Sequence, residues 1–308
     1  MNDLIILMAP TASGKTSLSL ELAKRFPIEI ISADSRQIFK YMDIGTAKVT
    51  KEEQKLVKHH LIDIINPDES YSAGSFEIDS KKIINNIISN KKIPIVVGGT
   101  GFYIKSLVYG LEDDKISNEK KKEVREYINT ILQNEGPEKI ANLLKEKDIL
   151  AYNYYEGNNI RRLSRALEFY LLNGYSITQQ KFHSKQNYNP NYFIINTERD
   201  KLYHNINQRC IEMWDNGFQN EVENLLKIGY GLHNYSINSV GYRECISYLD
   251  NKISKEKAIE EMQKHTRHFA KRQVTWINNQ IDDKVSDTKE KILDTMCIKC
   301  EKFLKNIS

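Results

Sequence analysis

The sequence predicts an α/β fold in which a parallel sheet is flanked by helices, and three observations support this prediction. The chain opens with a short apolar run, LIILM, which is typical of a buried parallel strand. A glycine-containing loop follows, and the next segment places Leu18, Leu20, Leu22 and Phe26 on one side of a helix. Further apolar runs then alternate with helical segments, as βαβ units require.

The loop after the first strand reads APTASGKT. Strand, loop and helix in this order are the context of a phosphate-binding P-loop, because backbone N–H groups and the helix N-terminus bind the anion. Lys15 adds a positive charge, and the Thr16 hydroxyl can bind Mg²⁺. Ala9 replaces the first consensus glycine, and a chance Gly-Lys-Thr sequence is the alternative. We predict a P-loop NTPase-like sheet whose phosphate site comprises Ala9, Pro10, Thr11, Ala12, Ser13, Gly14, Lys15 and Thr16.

Three later segments are predicted to be strands: EIISAD (29–34), HLIDII (60–65) and PIVVGG (94–99). ATPases and GTPases of this class hold Mg²⁺ with an acidic residue at a strand end, but PIVVGG leads into Thr100 without a carboxylate. Asp34 does end a strand, and ligands of open α/β sheets bind at such ends. We expect Asp34 beside the phosphate loop; the alternative role is a cap of the next helix.

The pattern of alternating strands and helices stops near residue 115. Three amphipathic helical segments follow, ISNEKKKEVREYINTILQNEG, PEKIANLLKEKD and NNIRRLSRALEFYLLNG, before the strand YFIINT (192–197) resumes the sheet. SVGYRE and KHTRHFAKRQVTW belong to helices of the last third. We therefore predict a core of residues 1–114 and 189–308 with a helical C-terminal part, and a helical insertion domain of residues 115–188.

Composition places few limits on function. A net charge of +4 over 308 residues does not predict a nucleic-acid partner, so local clusters must carry that argument. Cys297 and Cys300 have CxxC spacing, but no second ligand pair follows, and we expect ordinary thiols. The sequence shows no signal segment and no apolar run of about 20 residues. We expect a cytoplasmic monomer without a membrane partner.

Several motifs resemble those of the tRNA dimethylallyltransferases, also called tRNA isopentenyltransferases or the IPP transferase family. They occur in the family's order from Leu4 to Trp276: APTASGKT, IISADSRQIFKYMDIGTAK, HHLIDI, YSAGSF, VVGGTGFYIKSLVYGL, RRLSRALE, NSVGYRE and AKRQVTW. The resemblance implies transfer of a dimethylallyl group from dimethylallyl diphosphate to the exocyclic N6 amine of the adenosine 3′-adjacent to the anticodon. The loop would then hold an isoprenoid diphosphate.

The resemblance also implies chemical roles. Asp34 matches the family's general base, and Thr100 matches a residue near the reaction centre, although it can equally cap the following helix. Lys15, the loop amides and Mg²⁺ on Thr16 would neutralise the leaving diphosphate. Arg209 is a candidate for a further diphosphate contact; a solvated helix arginine is the alternative.

The anticodon stem-loop of tRNA is the implied macromolecular partner. Composition alone favours a solvated face for the arginines of RRLSR, and the cations of KHTRHFAKR could pair with acids elsewhere. The family match favours RNA contact instead. The implied tRNA-binding residues are Asp34, Ser35, Arg36, Gln37, Thr100, Arg125, Arg161, Arg162, Leu163, Ser164, Arg165, Gly241, Tyr242, Arg243, Lys271 and Arg272.

Three alternatives remain at this point. An enzyme that prenylates free adenine nucleotides would share the P-loop and Asp34, but it would not need the insertion and the basic C-terminal helix. A small-molecule kinase of the P-loop type would turn over ATP, and it gives no role to DSRQIFKYMDIGTAK. A binding module without catalysis is disfavoured by the intact Lys15–Thr16 pair.

Overall fold

Six parallel strands form one sheet in the order β3-β2-β4-β1-β5-β6 in the computed structural model, which describes residues 3–110, 116–157, 159–179 and 186–307. The strands are β1 (Asp3–Met8), β2 (Ile28–Ala33), β3 (His59–His60), β4 (Ile93–Gly98), β5 (Asn189–Ile195) and β6 (Lys284–Asp287). Almost every residue of β1, β2 and β4 is buried, as expected of central strands covered on both faces. The continuous apolar runs in the sequence therefore reflect a two-sided core.

Thirteen α-helices are formed by the described residues. They are α1 (Lys15–Ala23), α2 (Lys51–Leu56), α3 (Ala73–Ser89), α4 (Gly101–Tyr109), α5 (Asn118–Asn134), α6 (Pro137–Lys147), α7 (Ile149–Tyr154), α8 (Ile160–Asn173), α9 (Arg199–Asp215), α10 (Phe218–Lys227), α11 (Tyr242–Leu249), α12 (Lys255–Gln280) and α13 (Lys289–Ile307). None of them is long and apolar enough to cross a membrane.

The chain divides into two compact units. Unit 1 comprises Met1–Tyr109 and Gln186–Ser308 and contains the sheet; unit 2 comprises Gly110–Lys185 and contains α5 to α8. Unit 2 has its own apolar core, in which Ile140, Leu144 and Leu167 are fully buried. A separate core is what allows a chain segment to form a domain of its own.

Unit 1 has two apolar clusters, which join different secondary-structure elements. One joins the sheet to α1 and α13 through residues such as Leu18, Ile95 and Met296. The other lies among α9 to α12 and also includes Phe39 and Met42 from the loop after β2. The C-terminal helices therefore hold the loop that follows Asp34.

One predicted strand is largely wrong. HLIDII was expected to be extended over residues 60–65, but β3 contains His59–His60 alone. Leu61 and Asp63 both adopt positive φ, at 62° and 56°, which ends the extended backbone. The turn points Asp63 towards Lys48, so a polar contact replaces the expected strand.

Candidate active site

The backbone of the phosphate loop is arranged to bind an anion. Ala12 and Gly14 have the left-handed φ values 62° and 83°. Left-handed residues in a turn allow successive backbone N–H groups to form an anion-binding concavity. The Ser13 hydroxyl is buried and has no hydrogen-bond partner among the residues that the structure describes. A buried, unsatisfied donor is costly unless a ligand oxygen accepts from it. The loop therefore fits a phosphate or diphosphate.

Lys15 lies folded back across this loop. Its Nζ donates to the carbonyl oxygens of Ala9 and Pro10, both at 2.9 Å. Burial lowers the pKa of Lys15 to about 8; the carboxylate of Asp34 opposes the shift, and the charge of Arg209 adds to it. The ammonium is thus poorly solvated and close to a second cation, and an anionic ligand would stabilise its charged form.

Arg209 on α9 connects two clefts at the phosphate loop. One cleft of about 560 Å³ is lined by the loop residues Ala12 to Gly14, the end of β5 and the start of α13. The other, of about 420 Å³, is lined by Thr16 and by the loop after β2, and Arg209 borders both. Burial also lowers the pKa of Arg209. The structure thus places this guanidinium where a diphosphate contact is possible.

Asp34 and Thr100 lie together at the carboxyl ends of β2 and β4. The Asp34 Oδ1 atom accepts from the backbone N–H groups of Arg36 at 2.8 Å and Gln37 at 3.4 Å. Thr100 Oγ1 accepts from the Ser35 N–H at 3.1 Å. Asp34 Oδ2 accepts no hydrogen bond from the described part of the chain, so one carboxylate oxygen holds the turn and the other can receive a proton.

The neighbouring side chains Arg36 and Gln37 are engaged within the protein. The Arg36 guanidinium lies 4.6 Å from the centre of the Tyr235 ring and donates to the Tyr235 carbonyl at 3.3 Å. Gln37 Nε2 donates to the Ala47 carbonyl at 3.1 Å. Both side chains order the loop next to Asp34, whatever they also contact in a complex.

The loop of residues 39–48 is anchored by the buried Lys48 and the partly buried Glu221, to which the sequence alone gave no role. The Lys48 Nζ atom, on a side chain that is 3% exposed, donates to the Phe39 carbonyl and contacts the carboxylates of Asp43 and Asp63. The Glu221 carboxylate accepts from the backbone N–H groups of residues 43, 44 and 45. Lys48 is the last residue of the motif IISADSRQIFKYMDIGTAK, but the hydrogen-bond partners of Lys48 can be recognised only in the folded structure.

A third residue that the sequence analysis left unassigned is Gln273 on α12. Its buried amide bridges the phosphate loop and the loop after β4, through the N–H of Thr11 and the carbonyl of Gly99. Asn205 on α9 supports the same phosphate loop by donating to the Ala12 carbonyl at 3.3 Å. The C-terminal helices thus supply side chains that hold the site loops in place.

The arginines of unit 2 divide into two groups. Arg125 and Arg165 both contact the carboxylate of Glu168, at 2.7 Å and 3.0 Å. Arg161 and Arg162 are exposed at the start of α8, and Arg162 lies 5.9 Å from the centre of the Tyr155 ring. The ion pairs thus hold the guanidinium groups of Arg125 and Arg165 against Glu168 within unit 2.

Three of the residues that the resemblance implied for RNA contact have a buried side chain or no side chain. Leu163 is 2% exposed in the core of unit 2, because it lies on the apolar side of α8. Tyr242 is 1% exposed, and its hydroxyl donates to Glu221. Gly241 has a φ of 91° and donates its N–H to Glu244. Ser164, in unit 2, has a buried hydroxyl. Arg243, which follows Tyr242 in the sequence, is exposed.

The cations of α12 are also not equivalent. Lys264 pairs with Glu261 at 3.1 Å, and Arg267 donates to the Asn207 side chain. Lys271 and Arg272 are exposed and have no ion-pair partner among the described residues. The exposed basic side chains of KHTRHFAKR that form no ion pair with a described residue are therefore Lys271, Arg272 and His268.

A parallel sheet with a phosphate-binding loop after its first strand defines a P-loop NTPase-like fold. A sequence model described as IPP transferase matches residues 37–280, most of the chain. The protein belongs to the IPP transferase family.

Curated relatives agree with this assignment. The tRNA dimethylallyltransferase of Macrococcus caseolyticus is 42% identical over 295 residues, which cover 95% of this chain and 93% of the relative. The tRNA dimethylallyltransferase of Caldanaerobacter subterraneus subsp. tengcongensis is 43% identical over 279 residues, covering 89% and 88%.

Solved structures show the same fold. The tRNA delta(2)-isopentenylpyrophosphate transferase of Staphylococcus epidermidis has a TM-score of 0.70 and 36% identity, covering 98% of this chain and 99% of that one. A eukaryotic dimethylallyltransferase, described as acting on tRNA, has a TM-score of 0.75 and 27% identity, covering 94% and 74%.

Proposed function

We propose that this protein transfers a dimethylallyl group from dimethylallyl diphosphate to the N6 amine of the adenosine 3′-adjacent to the anticodon in tRNAs. Family membership and the names of the relatives support this activity. The observation that carries it is the juxtaposition at one sheet edge of a phosphate loop and the Asp34–Thr100 pair. A diphosphate leaving group and a proton acceptor are the two elements that such a transfer needs.

The donor site is formed by groups that recognise a diphosphate. The loop N–H groups, the Ser13 hydroxyl and the ammonium of Lys15 surround the anion, and Arg209 contacts it from α9. These charges and dipoles stabilise the negative charge that develops on the leaving oxygen. The allylic C–O bond breaks as the new C–N bond forms, and diphosphate departs.

Thr16 is the candidate Mg²⁺ ligand. Its hydroxyl donates to no other residue that the structure describes, and it faces the cleft that Arg209 borders. Among these residues there is no cluster of three acidic, histidine or cysteine side chains. Such a site fits Mg²⁺ nonetheless, because this ion usually binds substrate phosphates and water with few protein ligands. When bound, Mg²⁺ supplies charge neutralisation to the diphosphate.

Asp34 is the proposed general base for the acceptor. The N6 amine is a poor nucleophile because its lone pair is delocalised into the adenine ring, so removing its proton during attack accelerates transfer. Asp34 Oδ2 accepts that proton while Oδ1 stays bound to the turn. Thr100, which accepts from the Ser35 N–H, retains its own O–H to donate to the target nucleotide. A positioned base contributes about 10² to 10⁴ in rate.

The target adenosine is stacked in the anticodon loop, so the enzyme must extrude it to reach Asp34. RNA recognition of this kind uses unstacked loop bases and phosphate contacts. Arg161 and Arg162 in unit 2, and Lys271 and Arg272 in unit 1, are the exposed cations proposed to contact the phosphates. Phosphate contacts position the RNA and do not read its sequence.

The test is incubation of the protein with dimethylallyl diphosphate, Mg²⁺ and unmodified tRNA, followed by mass spectrometry of the nucleosides. We expect one prenylated adenosine per tRNA and an equal amount of diphosphate. Parallel reactions contain AMP in place of tRNA, or ATP with small acceptors. Efficient prenylation of AMP would support the free-nucleotide enzyme, and ATP turnover with phosphoryl transfer would support a kinase; either result would refute the proposal.

A further inference from the structure

The side chain of Gln273 occupies an unusual position between the two halves of the proposed active site. It lies in the second half of α12 and is 8% exposed. Its Oε1 atom accepts from the backbone N–H of Thr11 at 2.9 Å, and its Nε2 atom donates to the Gly99 carbonyl at 3.1 Å. One neutral amide therefore bonds both loops. Because the group is buried, losing either bond would leave an unsatisfied polar group.

The loop after β4 is shaped to receive this amide. A Cβ atom on Gly99 would overlap the Gln273 Nε2 atom, and one on Gly101 would overlap the ring of Trp276. Residues 273 and 276 are three apart and so share one face of α12. Two glycines thus permit the helix to approach the loop closely, and the position of the loop is set by the helix.

Each of the two loops is next to a side chain that takes part in the proposed reaction. Thr11 belongs to the phosphate loop, whose Ala9 and Pro10 carbonyls hold Lys15. Thr100 directly follows Gly99 and accepts from the N–H group next to Asp34. The Gln273 amide is therefore bonded on one side to the phosphate loop. On the other side it is bonded to the loop after β4, at the residue that precedes Thr100.

We propose that Gln273 is a positioning residue that sets the separation and orientation of the diphosphate loop relative to Asp34 and Thr100. This inference rests on the proposed prenyl transfer, in which a carbon atom passes from diphosphate to nitrogen. The two reacting atoms must lie about 3 to 3.5 Å apart, and a displacement of 1 Å can cost about 10² in rate. Both polar atoms of the Gln273 amide bond to backbone groups of the two loops, so its proposed effect is on geometry.

Two substitutions separate the two bonds. Gln273→Met has a similar length and can form neither bond. Gln273→Glu keeps an oxygen to accept from Thr11, but at neutral pH it places a carboxylate against the Gly99 carbonyl. For both variants we expect the single-turnover rate of transfer to fall about 10- to 100-fold. The dissociation constants of dimethylallyl diphosphate and of an anticodon stem-loop should change less than about threefold, because the ligand contacts remain.

The pH dependence of Gln273→Glu distinguishes positioning from general loss of stability. Protonating the introduced carboxyl restores an O–H that can donate to the Gly99 carbonyl. The transfer rate of Gln273→Glu, relative to wild type at the same pH, should therefore recover as the pH is lowered. Gln273→Met has no such group, and its relative rate should stay constant with pH.

Gln263→Met is the matched control. Gln263 lies on the same helix and donates from Nε2 to the Asn207 carbonyl at 3.1 Å, away from both site loops. The Gln263→Met variant should transfer the prenyl group at close to the wild-type rate. A wild-type rate in Gln273→Met, an equal loss in Gln263→Met, or a rate loss matched by lost donor binding would each overturn the positioning role. An inactive wild type would instead refute the proposed function.

Discussion

At the scale of single residues, the Asp34 carboxylate holds a turn and is also the proposed base of the transfer. The sequence left two roles open, a cap and a base. In the structure Oδ1 accepts from two backbone N–H groups of the following turn. This hydrogen bonding holds Oδ1 in the turn and leaves Oδ2 without a hydrogen-bond donor among the described residues. The structure therefore shows the turn-capping role, and the proposed base role would use the other oxygen.

Asp34→Asn should separate these roles. The asparagine Oδ1 can still accept from Arg36 and Gln37, but the amide cannot remove a proton. We expect the single-turnover rate to fall by about two or more orders of magnitude, with little change in tRNA affinity. Rapid-quench kinetics and a binding titration measure the two quantities. Near-normal transfer by the Asn variant would reduce Asp34 to a hydrogen-bonding role.

Lys15 gives a prediction for the pH dependence of donor binding. Burial lowers the pKa of Lys15 to about 8, and the protonated form is the one that attracts diphosphate. As pH rises through 8 the free protein loses this charge, so the dissociation constant of dimethylallyl diphosphate should increase between pH 7 and 9.5. Isothermal titration calorimetry measures this dependence.

Lys15→Arg is the control for that experiment, because a guanidinium stays charged over the whole range. Its donor affinity can be weaker at every pH, but it should not fall further above pH 8. A wild-type affinity that is equally flat would show that Lys15 is protonated throughout or does not contact the diphosphate.

The difference between what could and could not be predicted has a physical basis at this scale. Lys15, Thr16 and Asp34 lie in local motifs, where strand, loop and helix alone define the position of a side chain. Gln273 bonds to Thr11, which is 262 positions away in the chain. Glu221 bonds to residues 43 and 45, which are 178 and 176 positions away in the chain. Pairing over such separations depends on how helices pack, and no local pattern reports it.

At the scale of elements, the strands were predictable where both faces are buried. The sequence predicted four of the strands with bounds that lie within three residues of those observed, namely β1, β2, β4 and β5. The polar strand β6, KVSD, has no apolar run and forms by pairing with β5. The segment HLIDII shows the reverse case: it has apolar residues but is not a strand, because the backbone turns at Leu61 and Asp63, which both have positive φ.

The loop between β2 and α2 is predicted to depend on Lys48 for stability. Its ammonium is buried and bonds to a carbonyl and two carboxylates, one of them 61% exposed. Lys48→Ala leaves these acceptors without their donor, and hydrogen bonds to charged groups contribute about 1.5 to 3 kcal/mol. We expect the free energy of unfolding to fall by about 2 kcal/mol in a denaturant titration.

Lys51→Ala is the comparison for Lys48→Ala. Lys51 also contacts Asp63, at 3.4 Å, but its side chain is 73% exposed. Exposed ion pairs contribute about 0 to 1 kcal/mol, so this variant should stay near wild type. Equal effects of the two substitutions would mean that the burial of Lys48 adds nothing to the stability of the loop.

At the scale of the whole molecule, local charge matters more than the net charge of +4. Many cations are paired with acids, including Arg125, Arg165 and Lys264. The exposed Arg161 and Arg162 belong to unit 2, while every residue of the proposed donor site belongs to unit 1. Because each unit has its own core, the two binding functions should be separable by mutation.

The last prediction tests this separation. Replacing Arg161 and Arg162 together by Ala should weaken binding of an anticodon stem-loop and flatten its salt dependence. Each lost contact to a single-stranded phosphate lowers the slope of log K against log salt by about 0.7, so the slope should fall by about 1.4. The affinity for dimethylallyl diphosphate should not change. Titrations at several salt concentrations measure the slope.

Lys122→Ala with Lys139→Ala removes the same charge from the same unit and serves as the control. Both lysines are exposed, and each lies near an acidic residue four positions away in the sequence, at 3.8 Å from Glu126 and 3.1 Å from Glu135. If the arginines contact RNA directly, their replacement should change the slope and the lysine replacements should not. If both double variants changed the slope equally and only slightly, the effect would come from the overall charge of the protein. Arg161 and Arg162 would then be solvated side chains that do not contact RNA.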